Sequence, residues 1–250
     1  MTIGRFLQSW QVKHDPEERK AMEAAICELR RYDARRTIVR QETPLDVSLY
    51  LVEGIMCRYL DNRRGDRQLL SIQLPGDFVD LHAYPLKTLD HDVASLTRAQ
   101  VAVIPHVELD RLIAAHPALA RKLWFATLLD GALHREWIFK LGRLPAQGRL
   151  AHFLCETELR LRAVGLSDGI AFELLLTQTD LAEVCGLTSI HVNRVLRDLR
   201  ERGLCTLRGG TVEIQDRASL VRVGEFDPGY LYLDPAFAGV GDSRRRKTSG

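Results

Sequence analysis

Thr177 to Ile214 reads TQTDLAEVCGLTSIHVNRVLRDLRERGLCTLRGGTVEI. Thr177 is an N-cap residue with Asp180 three positions on, a weak capping box. A short helix follows, with Leu181, Ala182 and Val184 inward. Gly186 permits a tight turn at positive φ, and Thr188 caps a second helix. There Val192, Val195, Leu196 and Leu199 fall at i, i+3, i+4, i+7, one buried stripe. Ser189, Ile190, His191, Asn193, Arg194 and Arg197 are left on the opposite face. Gly203 ends the helix. Leu204 to Leu207 and Thr211 to Ile214 then flank Gly209-Gly210, a hairpin signal. The spacing predicts a helix-turn-helix followed by a two-stranded wing.

Such a helix fits the major groove and offers its first turns to base edges. Asn and Arg pair bidentately with adenine and guanine. The bland alternative is a small helical pair with a solvated basic face. The wing, the turn glycine and the arginine-rich helix favour DNA. The sequence TQTDLAEVCGLTSIHVNRVLRDLRERGL, with the leucine before it, resembles the winged helix-turn-helix of the Crp/Fnr family of bacterial transcription regulators. Upstream, LYLVEGIMCRYL (49–60) and LLSIQLPGDF (69–78) resemble the same family's cyclic-nucleotide-binding-like β-roll.

The implied fold is α+β. Residues 1–116 form a helical lead-in and β-roll sensor domain, 117–143 a long dimerisation helix, 144–233 the winged helix-turn-helix domain, and 234–250 a disordered basic tail. In the lead-in, Glu17 to Leu29 has helical composition, with Met22, Ala25, Ile26 and Leu29 on one side. From Arg36 to Pro105 short alternating runs separated by Asn62–Asp66 and Pro75-Gly76 indicate strands. Pro117 starts the long helix, which runs to about Gly142, roughly 39 Å at 1.5 Å per residue. Leu119, Leu123, Ala126, Leu129, Leu133, Trp137 and Leu141 make a stripe that packs against its own domain or forms a parallel dimer seam. The family resemblance implies the dimer, with Thr127, Asp130 and Gly131 weakening its middle. Leu144 to Gln147 is a hinge, Gln147 to Val164 a second helix, and Gly165 to Gly169 a loop. Arg217 to Phe226 reads as a short helix and Phe226 to Leu233 as a packed end. Arg244 to Lys247 are set to touch DNA phosphates or to remain solvated.

The 250 residues carry a net charge of only +2, so any nucleic-acid affinity must be local. No apolar run reaches bilayer-spanning length, and the N-terminus lacks a signal-peptide core. Cys27, Cys57, Cys155, Cys185 and Cys205 are scattered, which argues against a disulfide framework or structural zinc. The expected location is the cytoplasm, and no metal site is expected.

The resemblance also implies roles. Gln178 and Thr179 approach the DNA backbone, and Thr188 and Ser189 touch phosphate or base. Arg194 is matched to the family's guanine-reading arginine, with His191, Asn193 and Arg197 as neighbours. Ile190 stands where the family frequently has a cytosine-reading glutamate. It can meet a thymine methyl but accepts no hydrogen bond, so the familiar family operators are not carried over to this chain. Cyclic-AMP-binding members hold the phosphate with an arginine. Here that position falls near Asp90-His91-Asp92, whose acids repel phosphate, after Val79-Asp80-Leu81-His82. An iron–sulfur centre needs about four thiolates, and the N-terminal region offers Cys27. His82, His91 and His106 raise haem, although a lone histidine is more often a hydrogen-bonded surface residue. Cyclic AMP, iron–sulfur cluster and haem are therefore all disfavoured. The expected function is a homodimeric, sequence-specific regulator binding a near-palindromic operator on double-stranded DNA, with RNA polymerase a partner by resemblance. A ligand-binding or interaction module with an idle helix-turn-helix is the alternative. No nucleophile elbow, phosphate loop or H-E-x-x-H pair suggests an enzyme.

Overall fold

Strand side chains alternate between two faces, and residues 28–105 exploit both. The computed structural model describes residues 16–233. A three-stranded antiparallel sheet runs in the order β1 (Glu28–Tyr32), β7 (Ala99–Pro105), β3 (Val47–Glu53). A four-stranded one runs β2 (Thr37–Val39), β6 (Asp92–Ser95), β4 (Met56–Asp61), β5 (Arg67–Gln73). From β3, Leu49 and Leu51 enter a core with Met56, Val93, Val101 and Val103 between the sheets. Tyr50 and Val52 point the other way, into a second core that continues through the helices. Both faces are buried, which is why the run 49–52 is continuously apolar.

The lead-in helix is shorter than the sequence suggests. α1 spans Pro16–Ala24, and the chain then turns into β1, where Cys27 N–H donates to Val103 O at 3.0 Å. Leu29 therefore sits in a strand and is exposed. Non-local pairing with β7 overrides the local helical composition. Two further helices, α2 (Ala83–Leu86) and α3 (His106–Ala115), precede β6 and follow β7.

The long helix α4 covers Pro117–Arg143 and α5 covers Ala146–Ala163. The break is two residues, with Leu144 extended and buried. α5 is the axle of the C-terminal domain, buried from Leu150 to Leu161. Around it lie α6 (Gln178–Cys185), α7 (Ser189–Glu201) and α8 (Arg217–Val223). The wing has three strands rather than two. β8 (Ala171–Glu173) adds to β10 (Thr211–Ile214), which also pairs with β9 (Cys205–Arg208). β8 is too short for its alternation to be read locally. After α8, Phe226, Leu231 and Leu233 are buried, and Tyr232 meets Phe125 of α4 edge to face at 6.1 Å. The basic tail, 234–250, lies outside the described residues. Among the described residues no helix is long and apolar enough to cross a membrane.

Three polar contacts fasten the C-terminal domain to the roll. Arg35, at φ 64°, pairs with Asp180, its Nη2 donating to Oδ2 at 2.6 Å. Gln68 Nε2 donates to Glu183 O at 2.8 Å. Deeper in, Arg160 of α5 donates to Asp77 of the roll at 2.5 Å.

Candidate nucleic-acid interface

The capping box at Thr177 is complete. Thr177 Oγ1 accepts from Asp180 N–H at 3.2 Å, and Asp180 Oδ2 accepts from Thr177 N–H at 2.6 Å. Gly186 ends α6 in the left-handed region at φ 61° and ψ 45°. A side chain there would be strained, so the turn between the helices needs glycine. Thr188 then caps α7, accepting from His191 N–H at 3.3 Å. Val192, Val195 and Leu199 are buried and Leu196 packs beside them.

This fixes what α7 presents. Asn193, Arg194 and Arg197 are exposed, and Ile190 is the most exposed large apolar residue described, at 84%. Ser189 and His191 are half-buried, while Gln178, Thr179 and Thr188 are exposed. The two helices are cross-linked at this face, Asn193 Nδ2 donating to Gln178 Oε1 at 2.6 Å. Asn193 therefore has a partner and must exchange it to reach a base. Among the described residues no carboxylate pairs with Arg194, Arg197 or Arg200, whereas Arg202 pairs with Asp198 at 3.4 Å. The turn Gly209-Gly210 has φ 57° and 81°, as a type I′ hairpin requires. It leaves Arg208 exposed at the wing's edge. Arg200 and Arg208 extend the basic face beyond the residues picked from sequence. The run of arginines was visible there, but its freedom from acidic partners was not.

The predicted dimer stripe needs correction. Leu119, Leu123, Ala126, Leu129, Leu133 and Trp137 are all buried within the single chain, and Leu141 is half-buried. They pack on the chain's own roll and on α5, where Trp137 meets Phe153 edge to face at 6.3 Å. A helix of this length carries more than one apolar stripe, and periodicity alone does not say which faces home. The stripe left uncovered is Trp124, Leu128, Ile138 and Phe139, of which Ile138 is 72% exposed. Asp130, which read as a flaw in the seam, accepts from Arg58 of the roll at 2.5 Å. Arg58 is buried and its Nε also donates to Val79 O at 2.8 Å. Burial pushes the Asp130 carboxyl up, but Arg58 overrides this and holds it below its ordinary value.

Between roll and α4 lies a cavity of about 40 Å³ lined by Arg58, Ser71, Gln73, His82, Asp130 and Arg160, among others. That is space for a few waters. The four thiols of Cys57, Cys155, Cys185 and Cys205 are buried. Burial pushes those of Cys57 and Cys155 up to about 12. Cys27 is exposed.

Residues 148–223 match the family model of the Crp-like helix-turn-helix domain, and residues 29–116 that of the cyclic nucleotide-binding domain. An anaerobic regulatory protein of Pasteurella multocida is 29% identical over 179 residues, 70% of this chain and 64% of that protein. The match thus spans less than two thirds of that relative. The transcriptional activator protein FnrL of Cereibacter sphaeroides is 28% identical over 198 residues, 78% of this chain and 79% of FnrL. FixK, a nitrogen fixation regulation protein of Bradyrhizobium diazoefficiens, is 29% identical over 183 residues, 72% of this chain and 75% of its own. The solved structure of FixK2 from Bradyrhizobium japonicum superposes with a TM-score of 0.71 at 23% identity, covering 78% of this chain and 96% of that one. It shares the fold.

Proposed function

The chain belongs to the Crp/Fnr family of bacterial transcription regulators, and from that membership we propose how it reads DNA and how it pairs. α7 enters the major groove with Ile190, Asn193, Arg194 and Arg197 toward the bases. Thr188, Ser189 and the N-terminus of the helix meet phosphate. Arg194 reads guanine bidentately. Ile190 meets a thymine methyl, and His191 and Arg197 flank the contact. Gln178 and Thr179 sit on the backbone. The observation that carries this reading is the free guanidinium face of α7, held in place by two side-chain caps and a glycine turn.

Two copies pair through Trp124, Leu128, Ile138 and Phe139 of α4. A two-fold dimer of this kind reads a near-palindrome, with half-sites about one helical turn apart or more. RNA polymerase is the further partner we assign on family grounds, and the cytoplasm is the compartment. The protein acts by binding rather than turnover.

For the sensor domain we propose that cyclic nucleotides are not the signal. The buried Arg58, the cation a phosphate would need, is already matched by Asp130, and the cavity beside it takes waters rather than a nucleotide. Iron–sulfur assembly has one exposed thiol to work with among the five.

The test is selection of bound sequences from a random duplex pool with the purified full chain, followed by affinity against salt. A palindromic consensus with steeply salt-dependent binding supports the proposal. Shallow, sequence-independent binding, with or without cell extract, would favour an idle helix-turn-helix.

A further inference from the structure

His82 and the adjacent pair Asp90-His91 meet beside α4. His82 precedes α2, and Asp90 and His91 lead into β6. One potential ligand atom from each lies within 4.8 Å of the others. The two imidazoles face each other with centroids 5.2 Å apart. His91 is more than nine-tenths buried. Its Nδ1 is held by Asp90 Oδ1 at 2.7 Å, while its Nε2 is enclosed with no hydrogen-bond partner. A carboxylate on Nδ1 fixes the tautomer with the proton there and leaves the Nε2 lone pair unengaged. That is how proteins orient a metal-ligating histidine.

We propose that His82, Asp90 and His91 form a site for a divalent transition cation of the zinc type. His82 and His91 supply nitrogen donors, and Asp90 supplies a carboxylate, either on the ion or behind His91. Two imidazoles and a carboxylate without thiolate suit zinc, nickel, copper or ferrous iron rather than calcium or magnesium. Zinc ligands stand about 2.0–2.1 Å from the ion, so the donors need to close by about an ångström. Asp90, whose side chain is 93% exposed, reaches the ion only by giving up His91 Nδ1, and otherwise stays behind the ring. Arg58, the nearby cation, does not oppose the ion at full strength because Asp130 neutralises it.

The inference stands apart from DNA reading, because its test contains no DNA. Chelator-stripped full-length protein carrying Cys27→Ser, which removes the exposed thiol, is titrated with Zn²⁺ by calorimetry. One ion per chain is expected. His91→Gln should weaken binding at least about tenfold and Asp90→Asn by about 10- to 100-fold. Circular dichroism checks the fold of each variant. If His91→Gln fails to fold, Asp90→Asn decides, since its side chain lies in solvent. Absence of stoichiometric binding, or binding unchanged by Asp90→Asn, overturns the site.

Discussion

A negative charge at Ile138 is expected to split the dimer while leaving the chain folded. Fully burying such a side chain is worth about 1.5–3 kcal/mol. Ile138 is 72% exposed in the single chain, so covering it yields about 1–2 kcal/mol per copy. A two-fold interface uses the residue twice, giving about 2–4 kcal/mol, or roughly 30- to 1,000-fold in the dimer dissociation constant. Ile138→Glu forfeits this and also places two like charges near the axis. Sedimentation equilibrium across a concentration series reads the constant, and circular dichroism checks the fold. The companion variant is Leu133→Ala. Leu133 is 9% exposed against the chain's own core, so it should cost about 2–5 kcal/mol of folding stability. An unchanged dissociation constant for a folded Ile138→Glu would refute the reasoning and move the interface off this face.

Arg194→Ala should lose about 1–3 kcal/mol of specific operator binding with an unchanged melting temperature, read by fluorescence anisotropy. Unchanged affinity for the selected operator would misplace the reading face. Burial pushes Asp80 up to about 7 from an ordinary 3.8. Between those values the folded chain holds a proton that the unfolded chain has lost, so stability falls as pH rises through the window. Asp80→Asn should flatten that fall in denaturant melts taken from pH 4 to pH 8, since the amide oxygen can still accept from Leu49 N–H, now bonded at 2.7 Å. Maleimide should label one thiol per native chain, Cys27, and five after denaturation, counted by mass spectrometry. Rapid native labelling of a second would show that the buried thiols are reachable.

The reading helix was legible because its determinants are local. Caps, a turn glycine and a four-residue stripe all fall within Thr177 to Gly203, and each acts within one or two helical turns. The same is true of the bounds of α4, set by Pro117 at one end and Pro145 beyond the other. What stayed hidden depends on distant partners. β1 exists because β7 pairs with it, some 70 residues on, and no local pattern announces that. Leu133 and Ile138 are both apolar residues on one helix, and only the placement of the roll decides which is inside. His82 and His91 stand apart in the sequence, with no ligand motif joining them. Their meeting depends on the path of the chain between α2 and β6, not on any ligand spacing.

Asp180 carries two duties with one carboxylate. It closes the cap of α6 and it holds Arg35 of the roll. The duties differ in how freely they can change over generations. Loss of Asp180 would open the cap of α6 and so fray the reading head itself. Loss of Arg35 removes one attachment and leaves those of Gln68 and Arg160 in place. A lineage can thus retune how firmly its reading head is held by drifting at Arg35 alone, with the alphabet that α7 reads left as it was.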